Sequence, residues 1–328
     1  MMYAWEETMK KLGTLALVAA MLAVPGIAKA QYPDRPIKLI TGFPAGGGAD
    51  ILYRWYTDKL KDLSGQPIVI DNRPGAGANI ATDLVAKSKP DGYTLLTGPS
   101  SSLAGNIYLY KSLPFDPVKD LVPISTFAQL GFVLTINDKK NPAKNVQEFI
   151  TLMKAKGNKM TYGIPTTTSQ AVAALFIASA GLEGTQVAYK TMQAAVSDVA
   201  GEQIDFVMSD APFALTQEKQ GKVKILGVAT EKRSTAFPDI PTLAEQGVKN
   251  TELPPWWAFY APAGTPPDII KKLSDWINQI SAMPETREYL IRQGAEPLPG
   301  TPESTKQKLA DEIELWKKII AVGKFETN

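Results

Sequence analysis

The sequence predicts an α/β protein of two lobes, with parallel-rich sheets covered by helices. Two observations carry this. Short apolar runs alternate with amphipathic stretches from residue 37 to residue 228, and the chain beyond residue 260 turns mostly helical. A length of 328 residues leaves room for two domains of ordinary size.

Taken in order, Ile37–Thr41 reads as the first strand. Ile51, Leu52, Trp55 and Leu60 then recur at helical spacing, so Asp50–Leu63 is expected to be a helix. Between them lies Phe43-Pro44-Ala45-Gly46-Gly47-Gly48-Ala49-Asp50. Consecutive glycines let backbone N–H groups point outward with no Cβ in the way, and the helix N-terminus adds partial positive charge. The stretch reads as an anion cradle or, with equal weight, as a tight turn without a ligand. It lacks the Gly-x-Gly-x-x-Gly and Gly-Lys-Ser/Thr spacings of nucleotide loops. Asp50 is expected to be the N-cap.

Ile68–Ile70 is the next strand, followed by a second glycine turn, Asn72 to Asn79, that opens helix Asn79–Lys87. Arg73 reads first as a surface residue of that turn, and otherwise as a carboxylate or phosphate contact. Strand Thr94–Thr97 delivers Ser100, Ser101 and Ser102 to the carboxyl end of a strand, where open α/β sheets hold ligands. Asn145 and Glu148 form a capping box for helix Val146–Lys156. Strand Met160–Tyr162 runs into Tyr162-Gly163-Ile164-Pro165-Thr166-Thr167-Thr168-Ser169, before helix Gln170–Ala180. A cap accounts for one of those hydroxyls and leaves the rest over. Strand Gln186–Tyr189 precedes helix Met192–Ala200, and in strand Ile204–Met208 the stretch Phe206–Met208 is flanked by Asp205 and Asp210. Those aspartates suit a cation, an amine or a helix cap, with the cap favoured for Asp210. Val223–Val228 and Trp257–Tyr260 complete the strands.

The stretch near Thr126–Leu134 reads as the first crossing between lobes and Leu253–Trp257 as the return. One lobe is then residues 31–130 plus 255–328, and the other 131–254. Trp256 and Trp257 line the cleft or pack the hinge. The tail is expected to hold helices Pro266–Ile280 and Glu285–Gln293. A last helix, capped by Thr301, runs to about Val322.

Hydrophobic residues make up 44% and charged residues 21%, which marks a folded chain. A net charge of +2 without a long basic run gives nucleic acid little support as a partner, and none is expected. Residues 1–30 read as a secretory signal: Lys10 and Lys11, an apolar stretch from Leu12 to Val24, and the small-x-small site Ala28-Lys29-Ala30. Cleavage is expected after Ala30. Glu6 and Glu7 are unusual in such a segment, and a start at Met9 would remove them. With neither Cys nor His, the chain has no thiol nucleophile, no Ser–His–Asp triad and no imidazole metal site.

Several stretches together resemble one family along the whole mature chain. They are Tyr32-Pro33-Asp34-Arg35-Pro36-Ile37, the glycine loop Phe43 to Asp50, Asn72-Arg73-Pro74-Gly75-Ala76-Gly77, Pro90-Asp91-Gly92-Tyr93-Thr94-Leu95 and Leu113-Pro114-Phe115-Asp116-Pro117. Tyr189-Lys190, Lys232-Arg233-Ser234, Pro238-Asp239-Ile240-Pro241-Thr242 and Ala261-Pro262-Ala263-Gly264-Thr265-Pro266 continue the match. In this order they resemble the extracytoplasmic solute-binding proteins of tripartite tricarboxylate transporters, the Bug family.

The resemblance implies a type II periplasmic binding protein whose lobes close on a small carboxylate by a two-crossing hinge. Its ligand-binding residues would be Phe43, Pro44, Ala45, Gly46, Gly47, Asp50, Ser100, Ser101, Thr166, Thr167, Thr168, Ser169 and Asp205. It also implies a periplasmic monomer that serves membrane transporter subunits, with no cofactor, no metal and no catalytic residue. One departure stands out. The family's second loop usually reads Tyr-Gly-Ser-Ser-Gly-x-Gly-Ser with a nearby His, whereas Ile164, Pro165 and the three threonines stand here, and Thr191 replaces the Gly after Tyr-Lys. A ligand sensor that signals to a membrane partner, and a hydrolase working without His on Ser100 or Asp205, are the alternative readings.

Overall fold

Strand β1 (Ile37–Thr41) buries Ile37, Leu39 and Ile40 and exposes Lys38. In this computed structural model, which describes residues 32–322 and Phe325, it is flanked in parallel by β2 (Ile68–Asn72) and β3 (Thr94–Pro99). The expected signal at residues 1–30 lies outside the described residues. Among those described, no helix is long and apolar enough to cross a membrane.

Beyond β3 the first sheet continues antiparallel through β10 (Trp256–Pro262), β4 (Leu121–Leu130) and β11 (Ala295–Pro297), in the order β11-β4-β10-β3-β1-β2. The second sheet contains β5 (Phe132–Asn137), β6 (Thr161–Ile164), β7 (Thr185–Ala188), β8 (Phe206–Asp210) and β9 (Val223–Val228), in the order β7-β6-β8-β5-β9. Parallel pairing is confined to β2-β1-β3 and β7-β6-β8 among the described strands. The sheets are therefore mixed. The chain enters β5 and β10 directly from the other sheet, with no crossover helix to set a parallel direction.

β4 leaves the first sheet and, through the single residue Gly131, becomes β5 of the second. The chain comes back between Val228 and Trp256. The two connections touch: Leu130 N–H donates to the Pro255 carbonyl at 3.0 Å, and Ala229 N–H to the Phe132 carbonyl at 2.8 Å. Sequence reading missed β4 as a strand because Pro123 and polar Ser125 and Thr126 break its apolar run. Pro123 is tolerated because it pairs with Tyr260 next to a register shift, where a missing ladder donor costs little.

The helices are α1 (Gly48–Ser64), α2 (Asn79–Ala86), α3 (Ser100–Ala104), α4 (Asn106–Leu109), α5 (Val146–Lys156), α6 (Thr167–Ala180), α7 (Met192–Ala200) and α8 (Ala211–Lys219). After β10 come α9 (Pro267–Ala282), α10 (Pro284–Arg292) and α11 (Pro302–Val322). The short α3 and α4 escaped sequence reading because they complete few turns of an apolar period.

All of β10 is buried, since helices cover both faces of its sheet. On one face the rings of Tyr56, Phe127 and Phe259 meet, with Phe127 at 4.8 Å from Tyr56 and 4.9 Å from Phe259. In the second sheet Phe149, Phe176 and Phe206 form the equivalent cluster, Phe206 lying 5.7 Å from each of the others. Each such ring, fully buried, contributes about 1.5–3 kcal/mol. These two aromatic cores give the loops between the sheets rigid supports.

Candidate functional site

The glycine loop leaves the end of β1 and enters α1. Gly46 has φ +80°, a left-handed conformation that favours glycine. Its N–H donates to Asp50 Oδ2 at 3.0 Å. This corrects the expectation for Asp50. Gly47 is the N-cap, without a side-chain capping bond, and Asp50 is the third residue of the helix reaching back into the loop. Its buried carboxylate also accepts from the Tyr53 hydroxyl at 2.7 Å, Arg54 Nε at 2.5 Å and Asn72 Nδ2 at 3.4 Å. Burial alone would raise the Asp50 pKa, but bonds from Arg54, Gly46 and Tyr53 bring it below the ordinary value. Asn72 also donates to the Phe43 carbonyl at 2.8 Å, and the Phe43 ring lies 5.0 Å from that of Trp257. Asp50 thus shapes the loop from beneath. The first-turn amides beside it have no carbonyl one turn back, as at any helix start.

Farther along the chain, α3 and α4 follow β3 at its carboxyl end. The Ser100 hydroxyl donates to Glu312 Oε1 at 3.1 Å. Burial pushes the Glu312 carboxyl up, against bonds from Ser100, Trp316 and Trp256. Ser101 Oγ lies 2.6 Å from Thr168 Oγ1, a buried contact between the two sheets' loops. A second crosses beside it: Thr167 Oγ1 donates to Asn106 Oδ1 at 2.9 Å.

On the second side, α6 begins three residues earlier than expected because Thr166 is its N-cap, accepting from Ser169 N–H at 3.1 Å. Ser169 Oγ donates to the Met208 carbonyl at 2.5 Å. The hydroxyls left over by the capping reading therefore hold the second loop to β8 and to the first sheet. Thr191, where the family has Gly, caps α7 by accepting from Ala194 N–H at 3.2 Å.

The structure joins Ser101 to Thr168 and Asn106 to Thr167 across the two sheets, with Ser100, Thr166 and Ser169 beside them. Phe43, Pro44, Ala45, Gly46 and Gly47 form the neighbouring loop. Asp205 is placed elsewhere. It precedes β8 at the amino end, pairs with Lys156 and accepts from Thr161 N–H at 2.9 Å. A residue at the amino end of a strand lies away from the end where α/β folds gather ligands. Asp210, at the carboxyl end of the same strand, faces the glycine loop and caps α8 by accepting from Phe213 N–H at 3.0 Å. Arg73 follows its surface reading, in an exposed pair with Asp71 at 2.9 Å.

A cleft of about 730 Å³ lies along the other flank of the glycine loop. Gly46, Gly47 and Gly48 form one wall, and Gln193, Ser197, Phe213 and Gln217 form part of the opposite one. Sequence reasoning missed Asn106 and this glutamine-bearing wall, for which no motif exists. Asp210 was read for its cap, which was the available signal. Among the described residues no group of three acidic side chains is placed to hold a metal.

Comparisons with known proteins agree on one family. The profile of the tripartite tricarboxylate transporter family receptor matches residues 52–324. Protein BugT of Bordetella pertussis is 36% identical over 313 residues, which is 93% of this chain and 96% of that protein. Among solved structures, R. palustris Rpa4515 with adipate has a TM-score of 0.86 at 30% identity, over 89% of this chain and 98% of that one. MatC from Rhodopseudomonas palustris with bound malate has a TM-score of 0.82 at 26% identity, over 88% and 100%. The resemblance read from the sequence motifs is thereby borne out: this chain belongs to the tripartite tricarboxylate transporter receptor family.

Proposed function

We propose that this protein is an exported receptor that captures a small carboxylate between the glycine loop and the capped start of α6, and presents it to the membrane subunits of a tripartite tricarboxylate-type transporter. The observation that carries this reading is the meeting of the segments after β3 and β6, one from each sheet, through Ser101–Thr168 and Asn106–Thr167, with the glycine loop leaving the same end of the adjacent parallel strand β1. Amides and hydroxyls give a carboxylate charge-assisted hydrogen bonds without a buried arginine. Adipate and malate in the two related structures point to the same ligand class.

In this reading the contacts come from Phe43, Pro44, Ala45, Gly46, Gly47, Ser100, Ser101, Thr166, Thr167, Thr168 and Ser169. Asp50 acts from behind the loop. The lobes are residues 31–130 plus 255–328 and 131–254, hinged where β4 meets β5 and where the chain returns to β10. The receptor works as a periplasmic monomer and releases its ligand unchanged.

Thermal melting against mono-, di- and tricarboxylates tests the proposal. A ligand at about 100 times its dissociation constant stabilises by roughly 2.7 kcal/mol. A shift with one or more carboxylates, and none with sugars or amines, is expected. No shift with any carboxylate rejects it, and turnover of a chromogenic ester panel would favour a hydrolase.

A further inference from the structure

The first turn of α8 sits in a seat built from bare backbone. A Cβ placed on Gly48 would lie 1.9 Å from Asp210 Oδ1, 2.9 Å from its Cγ and 3.3 Å from Pro212 Cβ. Gly48 is not among the residues with positive φ, so its backbone admits alanine and the obstacle is space alone. From the other side comes Gly294, just beyond α10, whose own Cβ would lie 2.9 Å from Leu215 Cδ1 and 3.4 Å from Pro212 N. Gly48 opens α1 and Gly294 links α10 to β11, both beside the first sheet, whereas Asp210, Pro212 and Leu215 extend from β8 of the second. Two elements that must separate when a hinge opens therefore touch with side chains from the α8 segment alone between them. Interior packing tolerates no such overlap, so one added methyl must either push the Asp210 carboxylate off the Phe213 N–H that it caps or displace the turn.

We propose that Gly48 is the closure seat of this receptor: the Asp210-capped turn of α8 docks on it when the lobes close, and the missing Cβ sets how fully they close. The proposal rests on the hinged-receptor reading above and assigns its closed state to a positioning contact outside the hydroxyl pairs. A hinged protein binds with an apparent affinity reduced by the fraction that is competent to close. Gly48 then governs affinity without touching ligand.

The chain has no cysteine, so a pair of labels can be placed without background. Asp62→Cys on α1 and Lys219→Cys on α8 are both exposed. Pulsed dipolar spectroscopy between spin labels there reads the inter-lobe distance in the otherwise unaltered chain, with and without adipate as probe. The parent is expected to show a population at the closed distance. Gly48→Ala should lower that population at least about fivefold, which is close to 1 kcal/mol. Asp210→Ala removes the colliding atoms, so Gly48→Ala/Asp210→Ala should match Asp210→Ala alone and regain the closed population. A merely destabilised fold would not be rescued in this way.

Three results overturn the proposal: a closed population in Gly48→Ala equal to the parent's, a loss that the double variant does not recover, or a parent with no closed population under either condition. The receptor reading is judged separately by the carboxylate panel on the parent. A rescued closure with no carboxylate shift would reject that reading and leave the seat standing.

Discussion

Asp50 and Asp210 approach the same glycine triplet from different sheets, in opposite electrostatic settings. Asp50 is buried within the first sheet's layer, and Arg54, Tyr53 and the Gly46 amide all donate to it. Asp210 comes from the second sheet, accepts one backbone N–H at the start of α8, and has no ion pair among the described residues. Burial pushes its carboxyl up to about 6, where Asp50 is drawn below the ordinary value despite burial. The difference teaches that a carboxylate beside a glycine loop has two uses. One holds the loop's shape through charge. The other meets the loop from across the cleft and takes its proton easily.

The comparison breaks most readily at Asp50. Asp50→Ala leaves Arg54, the Gly46 amide and the Tyr53 hydroxyl without their acceptor. It should cost about 3 kcal/mol in urea unfolding, the low end for a broken buried pair because Arg54 is half exposed. Asp210→Asn keeps a capping side chain and removes only the charge, so above pH 6 it should stabilise, by on the order of 2 kcal/mol. Equal losses from both substitutions would mean that the two aspartates have the same role.

Titration sharpens the same contrast. A folded pKa below the ordinary 3.8 makes Asp50's contribution present above that value, and it is lost as pH falls through the folded pKa. Asp210 has the opposite sign. Its contribution is complete below about 3.8 and is lost as pH rises through about 6. Unfolding free energy measured from pH 4 to pH 7 should therefore fall less steeply with rising pH in Asp210→Asn than in the parent. An unchanged slope would deny Asp210 its raised pKa.

Smaller effects separate the two loops. Thr166→Ala removes the cap of α6 and should cost about 1 kcal/mol. Gly47 offers no such side chain to remove, so its loop has no equivalent loss. Ser101→Ala and Thr168→Val, combined in a double-mutant cycle, should couple by about 0.5–1.5 kcal/mol if their hydrogen bond holds in solution. Zero coupling would place the two hydroxyls apart in the free protein.

Local features were readable in the chain because their partners lie within a turn or two. The capping box is one: Asn145 Oδ1 accepts from Glu148 N–H at 2.9 Å, and Glu148 reaches back to Lys144 N–H at 2.8 Å. Thr301 capping α11 is another, accepting from Ser304 N–H at 3.1 Å. The strand at Val223–Val228 and the helices at Val146–Lys156 and Met192–Ala200 have the bounds expected from periodicity. Where local signals conflicted, reading faltered. Pro123 hid β4, and β11 spans too few residues to show alternation.

The candidate site divides along the same line. Its two loops were legible because glycines after a strand, and hydroxyls before a helix, have few structural explanations. Which hydroxyl met which was not legible. Ser101 and Thr168 are separated by 67 positions, and Thr167 and Asn106 by 61. Asp205 and Asp210 looked alike beside one strand, yet the strand's direction sends one to Lys156 and the other to Gly48.

By itself, then, the sequence determined the α/β class, most element positions, the family through its ordered motifs, and the two loops of the candidate site. These follow from backbone preference and from apolar period, both of which act over a few residues. Tertiary structure decided the mixed strand directions, the bonds that join the loops, the role of Asp50 beneath the glycines and the place of Asp210 against Gly48. Such contacts depend on how two sheets are brought together, and no short-range preference in a chain encodes the distance between residues far apart along it.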